Sequence, residues 1–141
     1  MNYGERLVAT FGHGLRQIIM TCTGSEANDI ALRMAQAVTG KTGIIATDNT
    51  YHGNTTAVSQ LSTRRPPIGG WPAHVRLVPA PDSLAAGGVD GATFAAHVRA
   101  AIANLEASGH GFAALILCPI FANEGLPDVA PGFLDPTVAA V

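Results

Sequence analysis

The distribution of apolar and polar positions divides the chain into two kinds of segment. Short runs rich in apolar residues, at 17–22, 42–47, 74–80 and 112–120, have the length of buried strands. Between these runs, apolar residues recur at intervals of three and four, which is typical of helices with one buried face. Strands separated by helices indicate parallel βαβ units, so the pattern predicts one α/β domain with three α/β/α layers and a mainly parallel sheet.

The predicted helices lie at 3–10, 26–38, 55–62 and 92–107. The tail from 127 begins as a Pro-rich loop and is expected to enter a last helix. Two of them show a continuous apolar face that should point inward. These faces consist of Ala27, Ile30, Ala31, Met34 and Val38 in one helix, and of Phe94, Val98, Ala101, Ile102 and Leu105 in the other. Clustered Pro and Gly residues predict loops at 64–72 and 81–91.

The junction "TCTGSEAND", residues 21–29, has two interpretations. Thr23 and Glu26 have the spacing of a capping box, which would only begin the helix. That role does not explain Gly24, which allows a tight turn or the close approach of a ligand. Strand, Gly24-Ser25 and helix N-terminus together form a plausible phosphate cradle, because unpaired N–H groups and the positive end of the helix dipole meet there. Many turns between a strand and a helix resemble this one, so the junction alone leaves both interpretations open.

A second polar turn, "DNTYHGNT" at 48–55, follows the next predicted strand and should lie at the same edge of the sheet. Tyr51 offers a flat face on which a ring could stack, and Gly53 allows close approach. The alternative is a polar loop whose Tyr51 packs on its own neighbours. For His52 a structural role is favoured over a catalytic one.

Composition and charge narrow the range of functions. Hydrophobic residues make up 48% and charged residues 13% of the 141 residues, so either other protein covers much of the surface or part of the protein is missing. The net charge of −2 and a largest basic cluster of Arg64-Arg65 argue against nucleic-acid binding. No run is long enough to cross a bilayer and no signal peptide begins the chain, which predicts a cytoplasmic protein without a membrane partner.

The cysteines and histidines predict neither a disulfide nor a metal site. Cys22 and Cys118 each close a predicted strand and are expected to be reduced core thiols. The five histidines are scattered without the paired spacing that metal ligands need.

The two turns together, at their observed separation, resemble a known family. The stretch "TGSEANDIALRMAQAVTGKTGIIATDNTYHGNT", residues 23–55, is similar to the class III aminotransferases, which are fold-type I enzymes dependent on pyridoxal phosphate. The flanking "NYGERLVATF", "HVRLVPAPD", "FAALILCPIFANEG" and "DVAPGFL" agree, so the resemblance covers nearly the whole chain. It implies that residues 1–141 are part of the cofactor-binding large domain of a homodimeric enzyme.

The resemblance also implies roles for individual residues. Gly24 and Ser25 should hold the cofactor phosphate and Tyr51 should stack on the pyridine ring, while His52 and Gly53 shape the same turn. The family's Schiff-base lysine has no counterpart here, because the one lysine, Lys41, lies at the opposite end of the predicted sheet. The Asp-Glu motif, whose Asp holds the pyridine nitrogen in the family, is also absent from the sequence. No catalytic residue is therefore assigned, and the downstream segment and the small domain are expected to be absent.

The implied reaction moves an amino group from an amine or amino acid to a keto acid or aldehyde, and the chain alone is expected to be inactive. Cys118 stands where the family commonly has an acidic residue, which adds to that expectation. Similar enzymes act as phospho-lyases on phosphorylated amino alcohols or as racemases, and the sequence excludes neither activity. It is also compatible with a non-catalytic α/β binding module and with a translated remnant. In any of these cases, exposed apolar patches and poor stability are expected.

Overall fold

A parallel sheet of three strands forms the middle of the structure, a computed structural model that describes residues 2–12, 14–64, 67–81 and 90–141. The strands are β1 (Gly43–Thr47), β2 (Val75–Val78) and β3 (Phe112–Ile116). The helices are α1 (Tyr3–Val8), α2 (Gly24–Thr39), α3 (Thr56–Ser59), α4 (Gly91–Ala107) and α5 (Asp135–Val138). Most of the loop predicted at 81–91 lies outside the described residues.

The strand order is β2-β1-β3, with β1 paired on both sides in parallel register. Ile44 lies opposite Val75 on one side and opposite Ala114 on the other, and a bulge displaces β3 next to Gly43. The chain moves outward from β1 to β2 and then back across β1 to β3. Since such connections are right-handed, the reversal places α3 and α4 on opposite faces of the sheet.

Two apolar cores confirm the predicted three layers, one on each face of the sheet. Alternate residues of β1 face opposite ways, so Ile45 packs against α4 while Ile44 and Ala46 pack against α2 and α3. The predicted inward face of α4 is confirmed, because Phe94, Val98 and Leu105 are fully buried and Ala101 and Ile102 pack against them.

The strand predicted at 17–22 is wrong. These residues adopt no strand, and the side chains of Ile18, Ile19 and Met20 are 39%, 59% and 58% exposed. A strand requires a neighbour that accepts and donates its backbone hydrogen bonds, and no described strand runs beside this segment. Helix α1, which precedes it, contacts no other helix or strand in the described ranges.

The inward face predicted for α2 is also wrong. Its one buried residue is Leu32, whereas Met34 and Val38 are 53% and 86% exposed. Leu32 is the residue that α2 contributes to the core on that face of the sheet. Polar side chains fix the same helix to the turn after β1, so the more apolar stripe is left facing outward. None of the described helices combines the length and apolar character that crossing a bilayer requires.

Candidate functional site

The N-terminus of α2 begins at a capped junction with unused backbone donors. Thr23 caps the helix by accepting a hydrogen bond from the Glu26 N–H at 3.1 Å, as predicted. The predicted return bond to Thr23 is not made, because the Glu26 carboxylate accepts instead from the Cys22 N–H at 2.8 Å. In the described structure the backbone N–H groups of Gly24 and Ser25 donate to no protein acceptor.

Gly24 is the first residue of α2, and the space above it is open. A Cβ built on Gly24 would meet no described atom within 4 Å, so neither packing nor a left-handed backbone requires glycine there. Glycine at this position leaves the backbone open to an approach from outside the chain. Together with the free N–H groups beside it, this open space has the form of an anion cradle at a helix N-terminus.

The turn after β1 is fixed to this junction by three hydrogen bonds. The Asn54 N–H donates to Ser25 Oγ at 3.0 Å. The Asn28 side-chain amide donates to the His52 carbonyl at 2.7 Å, and the Thr55 hydroxyl donates to Asp29 at 3.0 Å. The structure therefore brings together the two turns that the sequence predicted to meet.

Gly53 is the closest contact between the two turns. Its φ is +144°, and a Cβ there would stand 2.6 Å from Ser25 Oγ. A side chain would force the turn away from α2, so glycine is required by both backbone and space. The sequence predicts a close approach at this glycine by a ligand, whereas in the structure the group that approaches is Ser25.

His52 is held inside the turn, away from solvent. His52 is 8% exposed, and its ring Nε2 lies 3.1 Å from the Thr50 hydroxyl. Its backbone N–H donates to Ser62 Oγ at 3.4 Å. Burial holds the pKa of His52 below its ordinary value, and the nearby Glu124 carboxylate opposes that shift only in part. A buried, neutral imidazole with hydrogen-bonded neighbours supports the structural role favoured from the sequence.

Tyr51 points outward from the same turn. Its side chain is 41% exposed, and it lines a pocket of about 260 Å³ with Asn54, Arg64 and Asn123. Its ring is therefore available to a ligand, whereas His52 and Gly53 are buried beneath it. Of the five residues predicted to bind a cofactor, Gly24, Ser25 and Tyr51 present groups to the outside.

Hydrogen bonds of two side chains join the carboxyl end of β1 to the segments that follow β2 and β3. The sequence did not predict them. Asp48 accepts from the Ala80 N–H at 2.8 Å, beyond the end of β2. The Thr47 hydroxyl donates to Glu124 Oε1 at 2.6 Å, in the loop after β3, and the other oxygen, Oε2, is buried without a described partner. Only Thr47, a hydroxyl residue ending an apolar run, could have signalled this contact.

Lys41 lies at the other end of the sheet, as predicted. It precedes β1, whereas Tyr51 follows β1. Helix α2, which separates Lys41 from the cradle at Gly24, has 16 residues, or about 24 Å at the standard rise. Its Nζ lies 2.7 Å from Glu106, and the hydrogen bond from Lys41 is the main cause of the lowered pKa of Glu106. The only lysine in the sequence is therefore engaged far from the cradle.

Both cysteines are free thiols in the structure. Cys22 is exposed, however, so its prediction as a core residue is wrong, because the strand that it was expected to close does not form. Cys118 is half-buried and its Sγ accepts from the Ala122 N–H at 3.4 Å. In the described part of the chain, no three His, Cys, Asp or Glu residues lie close enough to hold a metal ion.

Comparison with known proteins gives consistent matches over the whole chain. A family profile described as aminotransferase class-III matches residues 1–140. A Drosophila melanogaster protein described as alanine–glyoxylate aminotransferase 2-like is 32% identical over 105 residues, covering 67% of this chain and 21% of the fly protein. A Caenorhabditis elegans protein described as ethanolamine-phosphate phospho-lyase homolog 1 is 35% identical over 81 residues, covering 55% of this chain and 17% of its own length.

Solved structures share the fold. A phospholyase from Arthrobacter in complex with phosphoethanolamine superposes with a TM-score of 0.86 at 37% identity, covering 97% of this chain and 33% of that one. An omega-aminotransferase from Paracoccus denitrificans gives a TM-score of 0.73 at 22% identity, which supports the fold alone, with the same coverage of 97% and 33%. The chain thus spans about a third of the length of these structures and about a fifth of its curated relatives.

Proposed function

Because this chain belongs to the class III aminotransferase family, whose enzymes depend on pyridoxal phosphate, we propose that it carries part of their cofactor site. Gly24 and Ser25 bind the cofactor phosphate, and Tyr51 stacks on the pyridine ring. His52 and Gly53 hold the turn that presents Tyr51. Residues 1–141 then form part of a cofactor-binding large domain, and a downstream Asp and Lys and a small domain are contributed by further sequence.

The observation that carries this proposal is the open cradle above Gly24. Its N–H and that of Ser25 are free of described protein acceptors, and no described atom lies within 4 Å of the place where a Cβ would stand. A phosphate dianion accepts hydrogen bonds from such groups and is stabilised by the helix dipole. The Ser25 hydroxyl accepts from Asn54 and keeps its own proton to donate.

Tyr51 supplies the second contact. Its exposed ring lies on the same turn that is fixed to Ser25 through Asn54, so phosphate and ring contacts are mechanically linked. His52 takes no part in proton transfer in this proposal, because burial keeps it neutral and bonded inside the turn.

Bound pyridoxal phosphate supplies the electron sink for moving an amino group from an amine or amino acid to a keto acid or aldehyde. The residues of this chain bind and orient it. The reaction also needs a lysine amine at the cofactor, and Lys41 is paired with Glu106 at the opposite end of the sheet. We therefore propose that this chain alone does not catalyse amino transfer.

Titration with pyridoxal phosphate tests both parts of the proposal. Ser25→Ala should weaken binding while Ser59→Ala, which changes a hydroxyl on α3, should leave it unchanged. Borohydride reduction followed by peptide mapping should show no stoichiometric label on Lys41. Equal affinities for the two variants, or full labelling of Lys41 together with amino transfer, would contradict the proposal.

A second candidate is elimination from a phosphorylated amino alcohol. It is favoured by the 37% identity with the Arthrobacter phospholyase, against 21–22% for the transaminase structures. Both reactions use the same cofactor cradle. Assaying a longer protein that contains this chain for phosphate release from phosphoethanolamine, against amino transfer from 4-aminobutyrate, would decide between them.

Two further proposals concern assembly and location. Exposed apolar residues on α2 and on the preceding segment, including Ile19, Met20, Met34 and Val38, support a homodimer in which this surface is covered. Sedimentation that showed only monomers of the longer protein would contradict this. Free Cys22 and Cys118 support a reducing compartment, the cytoplasm.

A further inference from the structure

The pocket beside Tyr51 has the composition of an oxyanion site. Its volume is about 260 Å³, and its lining consists of Tyr51, Asn54, Arg64 and Asn123. These side chains offer a guanidinium, two amides and a phenol hydroxyl, all of which can donate hydrogen bonds. None of the described lining residues is a carboxylate, so no described group within the pocket neutralises the positive charge of Arg64.

The carboxylate that follows Asn123 in the sequence is directed away from the pocket. Glu124 follows Asn123, but its Oε1 accepts from the Thr47 hydroxyl at 2.6 Å and its Oε2 is buried. Among the described residues, Arg64 forms neither an ion pair nor a hydrogen bond. An arginine in this state is available for two parallel hydrogen bonds to a carboxylate or a phosphate.

The pocket lies next to the cofactor cradle and is distinct from it. Asn54 belongs to both, because its N–H donates to Ser25 Oγ at 3.0 Å while the residue lines the pocket. Tyr51, the ring contact, forms another wall. A molecule that reacts at the cofactor ring would therefore have a second place for negative charge within reach.

We propose that Arg64, with Asn54 and Asn123, binds an oxyanion of the amine substrate, either a phosphate monoester or a carboxylate. This inference rests on the proposed function, which places the cofactor ring at Tyr51. The substrate class is then an amine that carries its own anionic group. An amino alcohol without an anionic group would lack the contact with Arg64.

Binding to the full chain tests this assignment without requiring turnover. The probes are O-phosphoethanolamine, 4-aminobutyrate and ethanolamine, each titrated while the backbone amide shifts of Asn54 and Asn123 are followed by NMR. The variant is Arg64→Gln, and the matched control is Arg99→Gln, an exposed arginine on α4. Arg64→Lys keeps the charge but loses the planar fork.

At least one anionic probe should bind, ethanolamine should not, and Arg64→Gln should weaken the anionic probe about tenfold, the effect of one charge-assisted hydrogen bond. Arg99→Gln should leave it unchanged, and Arg64→Lys should fall between. Tighter binding of O-phosphoethanolamine assigns the site to phosphate, and tighter binding of 4-aminobutyrate assigns it to carboxylate. Equal binding of ethanolamine, no effect of Arg64→Gln, or no saturable binding of either anion would overturn the inference.

Pyridoxal phosphate titrated into the same variants separates this inference from the proposed function. Arg64→Gln should keep its affinity for the cofactor, whereas Ser25→Ala should lose it. If the cofactor binds as proposed but Arg64→Gln leaves the anionic probes unaffected, only the substrate site is refuted. If anions depend on Arg64 but the cofactor ignores Ser25→Ala, only the cofactor assignment is refuted.

Discussion

Replacing Gly53 by alanine tests the contact that joins the two turns of the candidate site. A Cβ at Gly53 would stand 2.6 Å from Ser25 Oγ, 2.8 Å from its Cα and 2.9 Å from its Cβ. All three distances are shorter than real Cβ contacts, and two of the atoms met are not at the end of a flexible chain. The turn must therefore move away from α2, which separates Asn54 from Ser25.

The expected loss of stability has two parts. An L side chain at the φ of +144° costs about 1–3 kcal/mol of backbone strain. Loss of the hydrogen bond from the Asn54 N–H to Ser25 Oγ removes about 1 kcal/mol more. Gly53→Ala should therefore lower the free energy of unfolding by about 2–4 kcal/mol in total. It should also weaken pyridoxal phosphate binding, because Tyr51 moves with the turn.

Urea unfolding followed by far-UV circular dichroism measures the first effect. Gly69→Ala is the matched control, because Gly69 has a φ of +93° but a Cβ there meets no described atom within 4 Å. It reports the backbone strain without the clash. If Gly53→Ala destabilised the chain no more than Gly69→Ala, or left cofactor affinity intact, the argument that Gly53 joins the two turns would be refuted.

Three other outcomes are expected. Gly24→Ala should keep the free energy of unfolding within about 1 kcal/mol of that of the parent chain, since the added Cβ enters only the open cradle. The same Cβ should weaken pyridoxal phosphate binding, and unchanged affinity in a titration would argue against the cradle. Thr23→Ala removes the cap of α2 and should cost about 1 kcal/mol in urea unfolding, an effect that a fully stable variant would disprove. Burial holds the pKa of His52 and His74 below the ordinary 6.5, so the unfolded chain binds more protons as the pH falls below that value. Stability should therefore decline on acidification from about pH 6.5 and be unaffected by these groups above it, with a shallower decline in His52→Gln; an identical slope would exclude His52 as a source.

The parts of the fold that the sequence predicted correctly are those whose apolar pattern meets a packing partner in the described structure. Strands β1 and β3 and the inward face of α4 follow from continuous apolar runs and from helical periodicity. The segment 17–22 has a similar apolar run and forms no strand. Strand formation is a property of a pair of segments, and a run of apolar residues does not specify its partner.

The meeting of the two turns was predicted correctly from an incomplete premise. The prediction assumed that strands precede both turns, so that their carboxyl ends would share one edge of the sheet. Only β1 is such a strand, and the N-terminus of α2 reaches the edge through the bonds of Ser25, Asn28 and Asp29 to the turn. Side-chain partners between distant segments, such as Thr47 and Glu124 at a separation of 77 residues, leave no periodic signal to detect.

In the proposed function, cofactor binding and amino transfer are separable, because different kinds of group provide them. The cradle consists of backbone N–H groups at a helix terminus and a turn packed by Gly53, and neither requires an ionisable catalytic residue. Amino transfer requires a lysine at the cofactor, and Lys41 is bonded to Glu106 at the amino end of the sheet. In the proposed function, changes that alter cofactor affinity act in the cradle at Gly24 and Ser25 or through the packing of the two turns, and no substitution of Lys41 should affect that affinity.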